Sequence, residues 1–158
     1  MSYPKEGMIT CLLSSELKRL DIGIAALAEV WRPDCDETMA GGYTYYWSGR
    51  SDGSHAQGVA VAVSNKLTPM IIKVTPVNER IMRRRIHHSL TVVSLVPVYA
   101  PTEVSYLTVK DAFDATLESV VDQCPKRDTL AVLGDFNAST GADRDGYETC
   151  VSPHGSGL

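Results

Sequence analysis

Thr129-Leu130-Ala131-Val132-Leu133-Gly134-Asp135-Phe136-Asn137 is the stretch from which the rest of the chain is read. Leu130 to Gly134 are apolar or small, bounded by Asp128 before and by the Asn137-Ala138-Ser139-Thr140-Gly141 turn after, and a run that short predicts a buried strand. Asp135 and Asn137 fall just past its end, where α/β sheets gather ligands. Residues two apart in extended chain point the same way, so a carboxylate and a carboxamide are predicted to face one site. An Asp-x-Asn turn closing a strand is also a common structural feature, so the stretch needs partners elsewhere in the chain.

Upstream, residues 105–124 read as the longest helix, with Tyr106, Val109, Phe113, Leu117, Val120, Val121 and Cys124 on one side and Pro125 ending it. Residues 91–98 are a strong β run that stops at Tyr99-Ala100-Pro101-Thr102, because proline cannot continue the ladder. Tyr99 therefore also lies at a strand exit. Before it comes Arg80-Ile81-Met82-Arg83-Arg84-Arg85-Ile86. Strict alternation puts Ile81, Arg83 and Arg85 on one face and Met82, Arg84 and Ile86 on the other. A solvated edge strand is the favoured reading; a row of phosphate-contacting guanidinium groups is the functional alternative. His87 and His88 point to opposite faces of a strand and make a poor metal pair.

In the first half, Ser14 caps a short helix over residues 14–20 with Leu13, Leu17 and Leu20 as its apolar stripe. Residues 22–28 follow as a buried strand that ends at Glu29, a second carboxylate at a strand exit. Residues 33–42, with Asp34, Asp36 and Glu37, read as a solvated loop. Residues 43–47 are aromatic and strand-like, residues 48–57 a polar loop with His55, residues 58–64 a core strand of Val and Ala, and residues 69–75 a further short strand. The tail over residues 138–158 is polar and Gly-rich.

The 158 residues suit one domain with a real core. With 44% hydrophobic and 22% charged residues the composition is that of a globular chain. A net charge of -4 gives no global attraction to nucleic acid, so phosphate binding has to come from a local patch or a metal. Cys11, Cys35, Cys124 and Cys150 are far apart with no CxxC pair, which argues against zinc and against a disulfide framework. No apolar signal segment opens the chain and no run reaches the roughly 18 apolar residues of a membrane span. The expected setting is intracellular, nuclear or cytoplasmic, without membrane.

The element order predicts an α/β fold with a largely antiparallel or mixed sheet, in two stacked sheets. There is no GxGxxG, P-loop or GxSxG motif. Three strands end in a chemically capable side chain: Glu29, Tyr99, and Asp135 with Asn137. Carboxylate oxygens suit Mg²⁺ or Mn²⁺, and an aspartate beside such an ion can orient or deprotonate an attacking water.

Four segments occur in the order seen in one superfamily: Ala26-Leu27-Ala28-Glu29-Val30-Trp31, Gly58-Val59-Ala60-Val61-Ala62-Val63, Val98-Tyr99-Ala100-Pro101-Thr102 and Gly134-Asp135-Phe136-Asn137. Over about residues 16–158 the chain resembles the endonuclease/exonuclease/phosphatase superfamily, most nearly the endonuclease domains of LINE-type retroelements and the craniofacial-development-protein-2-like group. Gly146-Tyr147-Glu148 and Pro153-His154-Gly155-Ser156-Gly157 add to that likeness. The resemblance implies a four-layer αββα sandwich and Mg²⁺-dependent (or Mn²⁺-dependent) phosphodiester hydrolysis, with DNA as partner. It implies Glu29 as the metal-binding residue, Tyr99 as the side chain on the scissile phosphate, Asp135 as the residue that positions or activates the nucleophile, and Asn137 as its phosphate-holding partner.

Departures from the pattern set the competing readings. Met1 to Leu13 shows no first strand carrying the family's asparagine, so residues 1–13 are set apart as an N-terminal extension and residues 14–158 as a partial domain. The closing Asp-His pair is missing, and Arg83 and Arg84 stand where apolar strand residues are usual. An incomplete sandwich with an exposed sheet edge or apolar face is expected. The first functional reading is a DNA endonuclease of retroelement origin. The alternatives are a truncated or domesticated non-catalytic remnant acting as a binding module, and a phosphatase of the same superfamily.

Overall fold

A computed structural model of the protein describes residues 6–138 and 145–149. Two helices and eight strands follow in the order α1 (Glu6–Arg19), β1 (Ile24–Ala28), β2 (Cys35–Ala40), β3 (Tyr43–Ser48), β4 (Val59–Ser64), β5 (Ile71–Pro76), β6 (Met82–His88), β7 (Thr91–Tyr99), α2 (Leu107–Asp122) and β8 (Thr129–Asp135), with a 3₁₀ turn at Thr68–Met70. The strands form two four-stranded sheets, β1-β4-β3-β2 and β5-β6-β7-β8.

Alternation of side chains across each strand builds the layers. Val59, Val61 and Val63 of β4 and Tyr46 of β3 face Met82 of β6 and Tyr99 of β7, and this cluster is the core between the sheets. Tyr43, Tyr45 and Ala62 turn the other way, onto Leu13 and Leu17 of α1. Ile81, Val96 and Val98 back the second sheet against Phe113, Leu117, Val120 and Cys124 of α2 and its end. The stack is therefore helix, sheet, sheet, helix: the expected four-layer αββα arrangement. The β7 and β8 strands run parallel, and α2 is the crossover a parallel pair requires. All other pairings are antiparallel.

Several sequence expectations are corrected. The first helix spans Glu6–Arg19 rather than starting at Ser14. The loop expected over residues 33–42 contains strand β2, paired with β3 through a two-residue hairpin in which Gly41 and Gly42 both take positive φ (54° and 84°). Glycine reaches that conformation without strain, and such a turn matches the twist of the strands it joins. Asp36 and Glu37 sit on an edge strand, where charge is tolerated. Neither β1 nor β8 is the deeply buried strand that its composition predicts: both are sheet edges, half-buried, with Leu130 exposed. Tyr106, which precedes α2, and Val109 in its first turn are exposed rather than part of the packed face.

The reading of residues 80–86 also changes. Strand β6 is an interior strand between β5 and β7, not a solvated edge. Met82, Arg84 and Ile86 do share a face, and it is the core face. Arg84 is 0% exposed, with its guanidinium stacked 3.5 Å over the Tyr46 ring and, among the described residues, no hydrogen-bond partner for Nε, Nη1 or Nη2. Desolvation pushes its pKa down to about 10. Arg85, on the opposite face, grips Asp128 with two hydrogen bonds (2.7 and 3.0 Å), and Ser94 donates to the same carboxylate at 2.8 Å. The three arginines thus form no phosphate-contacting row.

Candidate active site

The last residue of β1 hands the chain to Glu29 at one end of the sandwich. Two backbone bonds hold the exit: Val30 N–H to the Gly58 carbonyl (3.2 Å) and Trp31 N–H to the Gln57 carbonyl (2.8 Å). Glu29 and Trp31 both take positive φ, 54° and 55°. Side chains other than glycine rarely adopt that conformation, and it persists only where the surroundings impose it. Here it turns the Glu29 carboxylate back toward the second sheet. Strand β1 lies against β7 and β8, and the Tyr99 hydroxyl donates to Glu29 Oε1 at 2.8 Å.

Tyr99 and Asp135 are register partners at the ends of parallel β7 and β8, so their side chains leave the same face side by side. The Ala100 N–H bonds the Asp135 carbonyl at 2.8 Å and locks that register. Gly134 makes the close approach feasible. It has φ 148°, and a Cβ there would come within 1.9 Å of the Val98 carbonyl oxygen. Asp135 is exposed, and its Oδ1 accepts the Asn137 N–H at 2.8 Å. Asn137 sits in the left-handed region (φ 46°) and donates its side-chain NH₂ to the Ala100 carbonyl at 2.8 Å. The alternation argument for Asp135 and Asn137 therefore fails: an Asx turn, not extended chain, joins them. Both residues still stand beside Tyr99.

Burial and the neighbouring Glu29 carboxylate push the Tyr99 pKa up, so the phenol stays a proton donor through the neutral range. Arg80 completes the group. Its Nη1 donates to the Tyr99 carbonyl at 3.2 Å, and its guanidinium lies 5.2 Å from the Tyr99 ring centre. Sequence reasoning grouped Arg80 with the β6 arginines; the signal separating it is position, since it lies before the strand and at the end where Glu29, Tyr99 and Asp135 meet. His154 lies outside the described residues.

The donor set can be tested against a metal. Among the described residues, no three His, Cys, Asp or Glu side chains gather into a ligand cluster, so an all-protein cage of the zinc type does not fit. Mg²⁺ keeps several waters and takes one or two carboxylates. Glu29, exposed and with one oxygen already oriented by Tyr99, fits that requirement. Among the described residues, no helix is long and apolar enough to cross a membrane.

The Endonuclease/Exonuclease/phosphatase family matches residues 11–157. The chain belongs to that family. Craniofacial development protein 2 of Bos taurus is 25% identical over 131 residues, which are 83% of this chain and 22% of that protein. The same protein of Tragulus javanicus is 24% identical over 83% of this chain and 23% of its own length. Among solved structures, the catalytic domain of Xenopus laevis APE2 superposes with a TM-score of 0.62 at 19% identity, covering 87% of this chain and 57% of that one. The endonuclease domain of TRAS1, a telomere-specific non-LTR retrotransposon, gives 0.56 at 20% identity over 92% and 65%. At such identities the structural likeness concerns the fold. The chain spans under a quarter of the curated relatives and between half and two thirds of these solved chains.

Proposed function

We propose that this chain is a divalent-metal-dependent phosphodiesterase that nicks DNA and descends from a retroelement endonuclease. The observation that carries the reading is the Tyr99–Glu29 hydrogen bond across the sheets, with Asp135 in register beside Tyr99. It joins three side chains from three strand ends at one edge of the sandwich, which is what a hydrolytic centre on this fold needs.

The roles follow from the chemistry. Glu29 would hold Mg²⁺ or Mn²⁺ through the oxygen that Tyr99 leaves open, and a bound ion supplies charge neutralisation to the phosphate and its leaving oxygen. Asp135, exposed and fixed through Asn137 and Ala100, orients the attacking water and takes its proton. Tyr99 keeps its proton and can turn its hydroxyl between Glu29 and a phosphate oxygen. Asn137 gives one N–H of its carboxamide to the Ala100 carbonyl, which leaves the second N–H as the donor to a phosphate oxygen. Arg80 places a permanent positive charge beside the centre, in a chain whose net charge of -4 otherwise repels nucleic acid.

The test is nicking of supercoiled plasmid with Mg²⁺ or Mn²⁺, wild type beside Asp135→Ala. Relaxed circles from wild type and none from the variant support a nuclease. Equal traces in both mean contamination. A chain that melts cooperatively and nicks nothing is the non-catalytic remnant, and hydrolysis of a phosphomonoester in its place is the phosphatase reading.

A further inference from the structure

Next to Glu29, on the α1 side of the first sheet, lies a cleft of about 700 Å³. Helix α1 covers only part of that face. Leu13 and Tyr45 form the inner wall, and Trp31, Arg32, Trp47 and His55 form the outer one. Its volume falls in the range of small-ligand sites, and its lining is mostly apolar and aromatic, as such sites usually are.

The outer wall is built, not incidental. Trp31 has a strained positive φ of 55° and is still 55% exposed, so the strain does not serve core packing. Its backbone is fixed at both ends of the peptide: the N–H on Gln57 and the carbonyl on the His55 ring (Nδ1, 3.1 Å). Gly58, at φ 100°, lets Val30 pack against the opposite strand; a Cβ there would meet Val30 Cγ2 at 2.8 Å. Behind Trp31, the Arg32 guanidinium lies 4.5 Å over the Trp47 ring, and Trp47 Nε1 is committed to the Pro33 carbonyl. Trp31 thus carries a half-exposed indole, on an anchored backbone, at an apolar hollow.

We propose that this cleft receives one unpaired base of the nucleic-acid strand being cut, stacked on Trp31. The proposal rests on the phosphodiesterase reading, since Glu29 belongs to both sites: it binds Tyr99 on the inter-sheet side and lines the cleft on the other. A strand whose phosphate lies at Glu29, Tyr99 and Asp135 places a neighbouring nucleotide at the mouth of the cleft. Every base has a π-face, so stacking on an indole selects an unstacked base without demanding a sequence. A duplex has to unpair that base, so single-stranded, mismatched or frayed sites are preferred over perfect duplex.

The test is an abasic scan. Binding of a labelled stem-loop, whose duplex stem fixes the register of its single-stranded loop, is measured in EDTA, so that nothing is cut, with one loop base at a time replaced by a reduced abasic residue. Wild type, Trp31→Ala and Trp31→Phe are compared, each first shown to melt cooperatively. Wild type is expected to lose roughly tenfold to a hundredfold in affinity when one particular base is removed. Trp31→Ala should show that loss with the intact strand and no further loss with the abasic one, and Trp31→Phe should recover most of the affinity. Equal abasic penalties in wild type and Trp31→Ala at every position would overturn the cleft proposal while leaving the nuclease reading standing. Failure of wild type to bind any oligonucleotide would overturn both.

Discussion

The Tyr99 hydroxyl and the Glu29 carboxylate, 70 residues apart in sequence, are joined by a 2.8 Å hydrogen bond that bridges the two sheets. Each residue stands at the exit of its strand, and neither strand is the other's neighbour in a sheet. The bond fixes which Glu29 oxygen is engaged and which remains for a metal. It also keeps the Tyr99 proton in place, because a carboxylate acceptor and burial both raise the phenol's pKa.

Tyr99→Phe removes that donor and changes little else. Its ring packs in the inter-sheet core, so the fold is expected to lose only about 1 kcal/mol. Nicking should fall by about 10²-fold, the usual cost of one transition-state donor. The pH profile carries a second signature. With the Tyr99 pKa raised above its ordinary value of 10.0, no loss of activity from tyrosine ionisation is expected between pH 7 and that value. Single-turnover rates across this range check both points.

Arg84 is expected to weaken the fold it sits in. Desolvation lowers its pKa to about 10, a shift worth about 3 kcal/mol against the charged form. The stack on Tyr46 returns about 1–2 kcal/mol. Arg84→Met keeps most of the volume without the charge and should stabilise the protein by about 1–2 kcal/mol, a rise in Tm of roughly 2–8 °C. Arg84→Ala leaves a hole between the sheets and should not show that rise. Thermal melts of the two variants decide it.

Acid sensitivity is expected from Asp128. The Arg85 fork and the Ser94 hydroxyl hold its carboxyl below the usual carboxylate range. A depressed folded pKa means the contribution is complete well above the unfolded value of about 3.9 and fades as the pH falls through it to the folded value. Asp128→Asn should flatten the decline in Tm below about pH 5 and lower Tm at neutral pH, where Arg85 loses its partner. Melting curves at stepped pH check the direction.

Gly134→Ala puts a methyl group against the Val98 carbonyl. The parallel register of β7 and β8 has to give, and Asp135 moves with it. Loss of nicking together with a destabilisation of about 2 kcal/mol or more is expected. An unchanged melt with full activity would mean that β8 is not seated in this register.

The strand ends were legible because each carries its polar residue directly after an apolar run: Glu29 after Leu27-Ala28, Asp135 after Leu133-Gly134. Their meeting was legible only through the family resemblance, since it depends on packing one sheet on the other. The β6 alternation was legible, but not its depth; three arginines imitate a solvated edge, and only strand order shows that Arg84 faces the core. Strand β2 was hidden by Asp36 and Glu37, although the Gly41-Gly42 pair between two extended segments is itself a hairpin signal. Trp31 was visible as an aromatic residue after Glu29, yet its exposure and strained backbone come from the Gln57–Gly58 anchor on a distant loop.

The most direct measurement is plasmid nicking titrated with Mg²⁺ for wild type, Glu29→Gln and Asp135→Asn, each confirmed folded by its melt. Wild type should nick with saturable Mg²⁺ dependence. Glu29→Gln should need at least tenfold more Mg²⁺ if it nicks at all, and Asp135→Asn should stay inactive at every concentration. Nicking by Asp135→Asn at the wild-type rate, or by wild type with no dependence on the ion, would contradict a metal-assisted centre built from Glu29, Tyr99 and Asp135.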